Sequence, residues 1–129
     1  MKKLLLLLLA PAVLVAGDTP NFKASDVLVL QDGFIALKIE NTASGDFVLP
    51  AAARNRVFIS LAINGVKRAE YLAKAVDAAI FLRRSLIVLK TNFRADRPLR
   101  IRVVLNPENA LPDSDPADNV LERELLPIS

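Results

Sequence analysis

Short runs of alternating apolar and polar residues dominate this chain, and they constrain its fold more than any other feature. The clearest runs are 34–40, 57–63 and 99–105. A period of two places apolar side chains on one face of a β-strand and polar side chains on the other. Turn residues separate the runs about every ten residues, a spacing typical of all-β sandwiches. The pattern therefore predicts an all-β fold, an antiparallel two-sheet sandwich of about seven strands.

Turn signals set the approximate bounds of these strands. Asn64-Gly65 lies between two apolar runs and is a strong hairpin signal, because both residues tolerate positive φ. Asp32-Gly33 supplies a second tight turn. We expect strands at 26–31, 34–40, 57–63, 66–72, 85–91, 99–105 and 119–126. The side chains expected to face the core are Ile35, Leu37, Ile39, Val57, Ile59, Leu61, Ile63, Leu99, Ile101, Val103 and Leu105.

Two segments do not follow the alternation. Residues 47–56 contain Pro50 and three alanines, and fit either one helical turn or an irregular crossing. Residues 69–84 are rich in alanine, but their helical stripe is weak, so helix is the less favoured interpretation. The structure of both segments stays open at this point.

The first 17 residues, MKKLLLLLLAPAVLVAG, have the pattern of a secretory signal peptide. Lys2 and Lys3 precede about 13 apolar residues, which is short of the roughly 20 that a membrane span needs. We expect cleavage near Gly17 and no stable membrane span afterwards. The predicted organisation is a signal peptide at 1–17, a polar leader at 18–25 and one domain at 26–129, exported to the periplasm or outside the cell.

Composition excludes several classes of function. The chain has no His and no Cys, which removes the commonest general base, the thiol nucleophile and nearly every zinc site. Losing Lys2 and Lys3 leaves 15 of the 17 basic residues against 14 acidic ones, so the charge does not indicate nucleic-acid binding. We expect no enzyme, no catalytic residues and no cofactor.

An acidic, proline-broken segment at 106–119 could be a metal site, a disordered tail or a structured turn, and the apolar alternation of the residues after it argues against disorder. Asp113, Asp115 and Asp118 have the spacing of an oxygen-ligand loop for calcium, but an EF-hand would need a Gly and a final acid that are absent. Asp and Asn side chains also bind their own backbone in turns. We favour a structured connection between the last two strands, with Leu111 pointing inward, the acids outward and no metal.

Basic residues concentrate in the stretch before this segment. Arg83, Arg84, Arg94 and Arg97 are candidates for a patch that binds a polyanion or an acidic partner. The arginines of 99–105 admit another role, since they can face acids of the last strand as cross-strand ion pairs. We expect Arg100 and Arg102 to face Glu122 and Glu124 across the sheet.

Residues 106–119, NPENALPDSDPADN, resemble the closing signature of CARDB domains, the cell-adhesion-related domain found in bacteria. Residues 35–44 look like the second strand of that family, and 61–65 look like its hairpin. The resemblance is to a divergent member. It implies an immunoglobulin-like sandwich of seven strands on exported proteins, without catalytic residues. It also implies that Asp115 and Asn119 hold the last turn through side-chain hydrogen bonds.

These observations predict a non-catalytic, exported module for binding, adhesion or assembly at the bacterial cell envelope. It would act through a sandwich face, loops or a sheet edge, with another envelope protein or a surface polysaccharide as partner. The alternative is a periplasmic carrier that holds a small apolar ligand in a phenylalanine-lined cavity between the sheets. Residues 47–56 and 69–84 are the first places to look for a site.

Overall fold

The alternating runs form seven antiparallel strands in two sheets, which confirms the predicted all-β sandwich. The computed structural model describes residues 19–128. The strands are β1 (Phe22–Val29), β2 (Phe34–Asn41), β3 (Val57–Ile63), β4 (Val66–Leu72), β5 (Ser85–Arg94), β6 (Leu99–Leu105) and β7 (Val120–Leu125). Short 3₁₀ turns lie at Ala51–Ala53, Ala73–Ala75, Ala78–Phe81 and Pro116–Asn119. The predicted signal peptide at 1–17 lies outside the described residues, in which no helix is long and apolar enough to span a membrane.

The two sheets have the order β1-β2-β5 and β4-β3-β6-β7. This is an immunoglobulin-like arrangement, in which the connections β2–β3, β4–β5 and β5–β6 pass from one sheet to the other. Asn64 and Gly65 have φ values of 51° and 83° and form the predicted hairpin turn between β3 and β4. Gly33 has a φ of 89° in the turn between β1 and β2. These residues therefore adopt the positive φ values that the two predicted turns require.

Alternation identifies most of the core correctly. The inward residues of β2 and β6 are all buried: Ile35, Leu37, Ile39, Leu99, Ile101, Val103 and Leu105. Arg100 and Arg102 are exposed on the opposite face of β6, as expected. Burial of such aliphatic side chains contributes roughly 1.5–3 kcal/mol each, so these two strands anchor the two sheets to each other.

Phe58 is a correction to the predicted faces of β3. The alternation predicts that it lies opposite Ile59 and Leu61, yet all three are buried. The pairing of β3 with β4 shifts register between Val57 and Ile59. Such an irregularity re-aims side chains and interrupts strict alternation. Phe58 thereby packs into the core against Phe22, with ring centroids 4.8 Å apart in an edge-to-face arrangement.

The start of the domain also differs from the prediction. β1 begins at Phe22, inside the segment 18–25 that the pattern assigns to a leader. Phe22 and Ala24 are buried while Lys23 is exposed, which is strand alternation over too short a stretch to be recognised beside Pro20. β5 is longer than predicted as well, and runs on to Arg94.

The two segments that do not alternate belong to irregular crossings with 3₁₀ turns. Residues 42–56 connect β2 to β3 and form the first crossing, and 73–84 connect β4 to β5 and form the second. Asp77 caps the turn Ala78–Phe81 by accepting a hydrogen bond from the N–H of Ala79 at 2.9 Å. The alanine-rich second crossing therefore yields short turns, because Val76 and Leu82, which follow its two turns, are in extended conformation.

Candidate binding surfaces

The first and second crossings lie at the same end of the sandwich and are hydrogen-bonded to each other. The N–H of Phe47 donates to the carbonyl of Phe81 at 2.8 Å, and the N–H of Arg84 donates to the carbonyl of Ala43 at 3.0 Å. On the other side, the N–H of Lys74 donates to the carbonyl of Arg54 at 3.0 Å. The irregular backbone segments of the two crossings thus hydrogen-bond to each other although they form no β-ladder. These bonds fix the conformation of this end of the sandwich.

Asn41 fastens this end to the sheets. Its side chain is only 1% exposed, and both its amide nitrogen and its amide oxygen form hydrogen bonds. The amide nitrogen donates to the carbonyls of Ile80 and Leu82 at 3.0 and 3.2 Å. The amide oxygen accepts from the N–H groups of Asn21 and Ala43, both at 3.1 Å. One buried amide therefore joins β2, the start of β1 and the second crossing.

An open cleft of about 300 Å³ lies between the two crossings, and we call it the end cleft. Its lining is apolar apart from two basic side chains. The lining residues are Phe47, Leu49, Arg54, Ala73, Lys74, Val76, Ala78, Phe81 and Leu82. The rings of Phe47 and Phe81 are 6.2 Å apart, and Phe81 in turn packs on Phe58 at 5.8 Å. The cleft thus opens onto the aromatic part of the core.

The charges around the end cleft are unbalanced. Arg83 forms an ion pair with Asp46, 3.5 Å away. Among residues 19–128, Arg54 and Lys74 have no carboxylate within ion-pair distance. The carboxylate of Asp77, beside the lining, accepts the N–H of Ala79 and forms no ion pair with either cation. The cleft therefore presents two cations above an apolar floor.

The free edge of β5 is a second unusual surface. β5 is the longest strand, with ten residues, and it forms one edge of the three-stranded sheet. Residues 85–89 carry no charge, and Leu86 and Val88 are exposed on the outer face. An exposed apolar edge strand is a template for pairing with another chain.

The structure divides the four candidate arginines into two groups. Arg83 and Arg84 precede β5, whereas Arg94 ends it and Arg97 follows. Ten residues at about 3.3 Å each separate Arg84 from Arg94, so the groups are roughly 30 Å apart. The guanidinium of Arg94 lies over the ring of Phe34, 4.9 Å from its centroid. The arginines bracket the β5 edge at its two ends.

We call the segment 106–119 the elbow. Several of its polar side chains form hydrogen bonds with its own backbone. Asn106 donates to the carbonyl of Leu111 at 2.7 Å and accepts from its N–H at 3.1 Å, and Leu111 is buried as predicted. Asp115 accepts the N–H of Ala117 at 3.3 Å. The side chains of the elbow therefore fix its course between β6 and β7.

Three side chains of the elbow, Asp113, Asp118 and Asn119, differ from the expectation. Asp113 is partly buried instead of outward-facing; one carboxylate oxygen accepts the N–H of Asp115 at 3.0 Å. Its other oxygen and the amide oxygen of Asn119 are buried without a hydrogen-bond partner among the described residues. Asp118 is half-buried in the last 3₁₀ turn. The elbow thus leaves two oxygens unsatisfied where the turn folds against β1.

Arg100 and Arg102 of β6 face the acids of β7, as expected. Arg100 pairs with Glu124 and Arg102 with Glu122. Only the second pair is an ion pair among the described residues, with Nη1 of Arg102 2.7 Å from the carboxylate of Glu122. Both side chains are about half exposed, so the pair contributes about 0.2–1 kcal/mol.

Replacing Asp113 with asparagine is expected to stabilise the protein at neutral pH. Burial raises the pKa of the Asp113 carboxyl above its ordinary value of 3.8, against a smaller opposing effect of the Asp115 N–H. The folded state then holds this proton more tightly than the unfolded state. The carboxyl costs no stability below pH 3.8 and becomes unfavourable as pH rises through its folded-state pKa.

Thermal unfolding of the protein and of Asp113→Asn at pH 7 and pH 3.5 tests this expectation. The variant should have the higher Tm at pH 7, and the difference should shrink at pH 3.5. Asp115→Asn is the matched control, since asparagine also caps a turn and little change is expected. A lower Tm for Asp113→Asn at pH 7 would show that the charged carboxylate stabilises the elbow.

Sequence reasoning misses Asn41, the two cations of the end cleft and the edge of β5. The segments around the cleft stand out in the sequence only because they break the alternation. Asn41 ends an alternating run and has the appearance of the first residue of a loop. The available signal is a polar residue on the inward face of a strand, in phase with Leu37 and Ile39.

Comparison with known proteins supports the fold. No protein-family model matches the chain, and no curated protein matches it in sequence. Among solved structures it is similar to the CARDB domain of the PF1109 protein from Pyrococcus furiosus, which was solved in complex with di-metal ions. The match covers 84% of this chain and 94% of that one, with a TM-score of 0.56 and 12% sequence identity. The fold is therefore CARDB-like.

Proposed function

We propose that this chain is a non-catalytic, exported binding or assembly module of the cell envelope, and that it binds an extended segment of a partner protein along β5. The single observation that carries the proposal is the exposed apolar edge of β5. A strand added to such an edge gains backbone hydrogen bonds, while its alternate side chains give specificity. The CARDB-like sandwich and the apolar run after Lys2 and Lys3 support the adhesion-related, exported setting.

The other three edge strands carry features that discourage pairing. β1 has an irregular register between Ala24 and Asp26. β4 carries Lys67, Arg68 and Glu70, and β7 carries Glu122, Arg123 and Glu124. Charged side chains and bulges of this kind are how sheet edges avoid adding strands. The edge of β5 lacks them in its first five residues, which favours it as the binding edge.

Charge at the two ends of β5 favours a partner strand over a second copy. Arg84 precedes the uncharged run 85–89 of β5, and Lys90 and Arg94 follow it. An antiparallel pairing of two β5 strands would bring Arg84 of one copy near Arg94 of the other, and like charges that face each other across strands are destabilising. The complementary partner is a strand with acidic residues at its ends and apolar residues at its centre.

Single-cysteine crosslinking in intact cells tests this proposal. The chain contains no cysteine, so Val88→Cys on β5 and Val66→Cys on β4 each introduce one thiol. Val88 and Val66 are 53% and 56% exposed, which makes the second variant a matched control on a charged edge. We expect a membrane-impermeant maleimide carrying a photocrosslinker to give a discrete protein adduct from position 88 and none from position 66.

Charge reversal completes the experiment. Arg84→Glu combined with Arg94→Glu in the Val88→Cys background should reduce the adduct severalfold, because the acidic ends of the partner are then repelled. Equal adducts from positions 88 and 66 would contradict the β5 edge as the binding surface. Failure of both thiols to react in cells with a permeabilised outer membrane, with normal reaction in lysate, would contradict export.

The metal ions of the structural neighbour do not transfer to this chain. Among residues 19–128 no group of three or more Asp, Glu, His or Cys side chains is arranged to hold a metal ion. At the elbow, Asp113 and Asp115 each bind a backbone N–H, and the unpartnered oxygens of Asp113 and Asn119 are two where calcium takes six to eight. The described residues do not fit such a site, and the proposed function uses no metal.

A further inference from the structure

We propose that the end cleft binds a small amphiphile: an apolar chain or ring that carries one anionic group. This site is separate from the β5 edge and does not depend on the proposed function. The apolar part would lie against the floor of the cleft, and the anion would lie between Arg54 and Lys74. Neither of these two residues has an assigned role in the fold.

The floor of the cleft is apolar surface that the fold does not cover. Leu82 is 51% exposed, and Phe47 and Leu49 are only half-buried. Concave apolar surface of this kind, with a few polar groups at its rim, is typical of ligand sites rather than of ordinary loops. An occupant with an apolar body would remove this surface from water.

The rim of the cleft is cationic and is held in place by backbone contacts. The N–H of Lys74 donates to the carbonyl of Arg54, so the two basic residues start from adjacent points. Two other cations of the crossings are paired: Arg56 with Glu108 at 2.8 Å and Arg83 with Asp46 at 3.5 Å. Arg54, Lys74 and Arg84 have no carboxylate within ion-pair distance among the described residues, and of these three only Arg54 and Lys74 line the cleft. An anionic group on a bound ligand would therefore complement the charges of Arg54 and Lys74.

The size of the cleft limits the occupant. Its volume of about 300 Å³ is at the small end of the range for ligand pockets, so it suits one short chain or one ring rather than a lipid with two long chains. Its open mouth leaves the charged group near water. A medium-chain carboxylate meets each of these conditions and is the probe of choice.

Isothermal titration of the purified protein with decanoate, and with 1-decanol as the uncharged analogue, tests the assignment. We expect saturable binding of decanoate and at least tenfold weaker binding of decanol. Changing both cations, Arg54→Gln with Lys74→Gln, should weaken decanoate about tenfold or more and leave decanol unchanged, because a hydrogen bond to a charged group is worth that much. Arg56→Gln is the matched control: its partner is Glu108, and decanoate binding should persist.

A second variant tests the apolar floor. Leu82→Asn changes a half-exposed side chain, so the fold should tolerate it, and it should weaken decanoate and decanol alike. Absence of saturable decanoate binding, or equal affinity of the double glutamine variant and the unchanged protein, would overturn the proposal. Binding to phosphatidylglycerol vesicles without binding of free decanoate would also overturn it, since a membrane surface would then be the target.

Discussion

Replacing Asn41 with leucine is expected to lower the free energy of unfolding by about 3–6 kcal/mol. Leucine has nearly the same shape but cannot form hydrogen bonds. The carbonyls of Ile80 and Leu82 would lose a buried donor, and the N–H groups of Asn21 and Ala43 would lose their acceptor. Each group left unsatisfied away from water costs roughly 1–3 kcal/mol, and partial access of water limits the total. Urea unfolding at pH 7 measures the loss.

Asn41→Asp separates the hydrogen bonds that the Asn41 side chain accepts from those that it donates. Aspartate still accepts from the two N–H groups, but it turns a carboxylate oxygen toward two carbonyls. Burial and these carbonyls should raise the pKa of the new carboxyl, so the protonated form can donate to one carbonyl at low pH. The deficit relative to the unchanged protein should therefore be smaller at pH 4.5 than at pH 7.

Asn55→Leu is the control, since Asn55 is exposed in the first crossing and a change within about 0.5 kcal/mol is expected. A loss below about 1 kcal/mol for Asn41→Leu would mean that the second crossing is held by its apolar contacts alone. Retention of full stability by Asn41→Asp at pH 7 would mean that water reaches the two carbonyls.

Phe58→Ala is expected to cost about 3–5 kcal/mol. Phe58 is 1% exposed and lies at the centre of an aromatic group, 4.8 Å from Phe22 and 5.8 Å from Phe81 between ring centroids. Removing the ring leaves a cavity between the two sheets, next to the end cleft. The hydrogen bonds between the two crossings limit how far this cavity can close. A lower Tm and a lower midpoint of urea unfolding measure the loss.

Phe34→Ala provides the comparison for this change. Phe34 is only half-buried on the outer face, with Lys90 and Arg94 over its ring, both 4.9 Å from its centroid. Its loss should cost markedly less, because solvent already reaches the ring. Equal effects of Phe34→Ala and Phe58→Ala would contradict the placement of Phe58 in the core.

The fold could be predicted from the sequence because local and long-range preferences agree in most of the strands. Alternation in β2 and β6 matches burial on one face, and Asn64-Gly65 matches the turn that the β3–β4 hairpin requires. The closing segment was also predictable, since the Asn106 and Asp115 side chains bind the backbone locally. Such features depend on residues close in the sequence, which is why a pattern reveals them.

What the sequence could not reveal depends on which residues meet across the sandwich. The burial of Phe58 follows from an irregular register that no alternation encodes. The amide of Asn41 is useful only because Ile80 and Leu82 arrive next to it from the second crossing. Likewise, Arg54 and Lys74 become a pair only when the two crossings are aligned, and the four arginines of the predicted patch separate only when β5 is seen to lie between them.

The direction of the first and last strands has a mechanical consequence. β1 starts beside the end cleft, where Phe22 pairs with Asn41, and β7 finishes at the opposite end, where Leu125 pairs with Leu99. Asp26 of β1 and Arg123 of β7 lie 3.2 Å apart and link the two strands. A force that pulls the start of β1 and the end of β7 apart would therefore act along these strands. It would shear the β1–β2 and β6–β7 ladders. Their hydrogen bonds would share the force together instead of opening one after another.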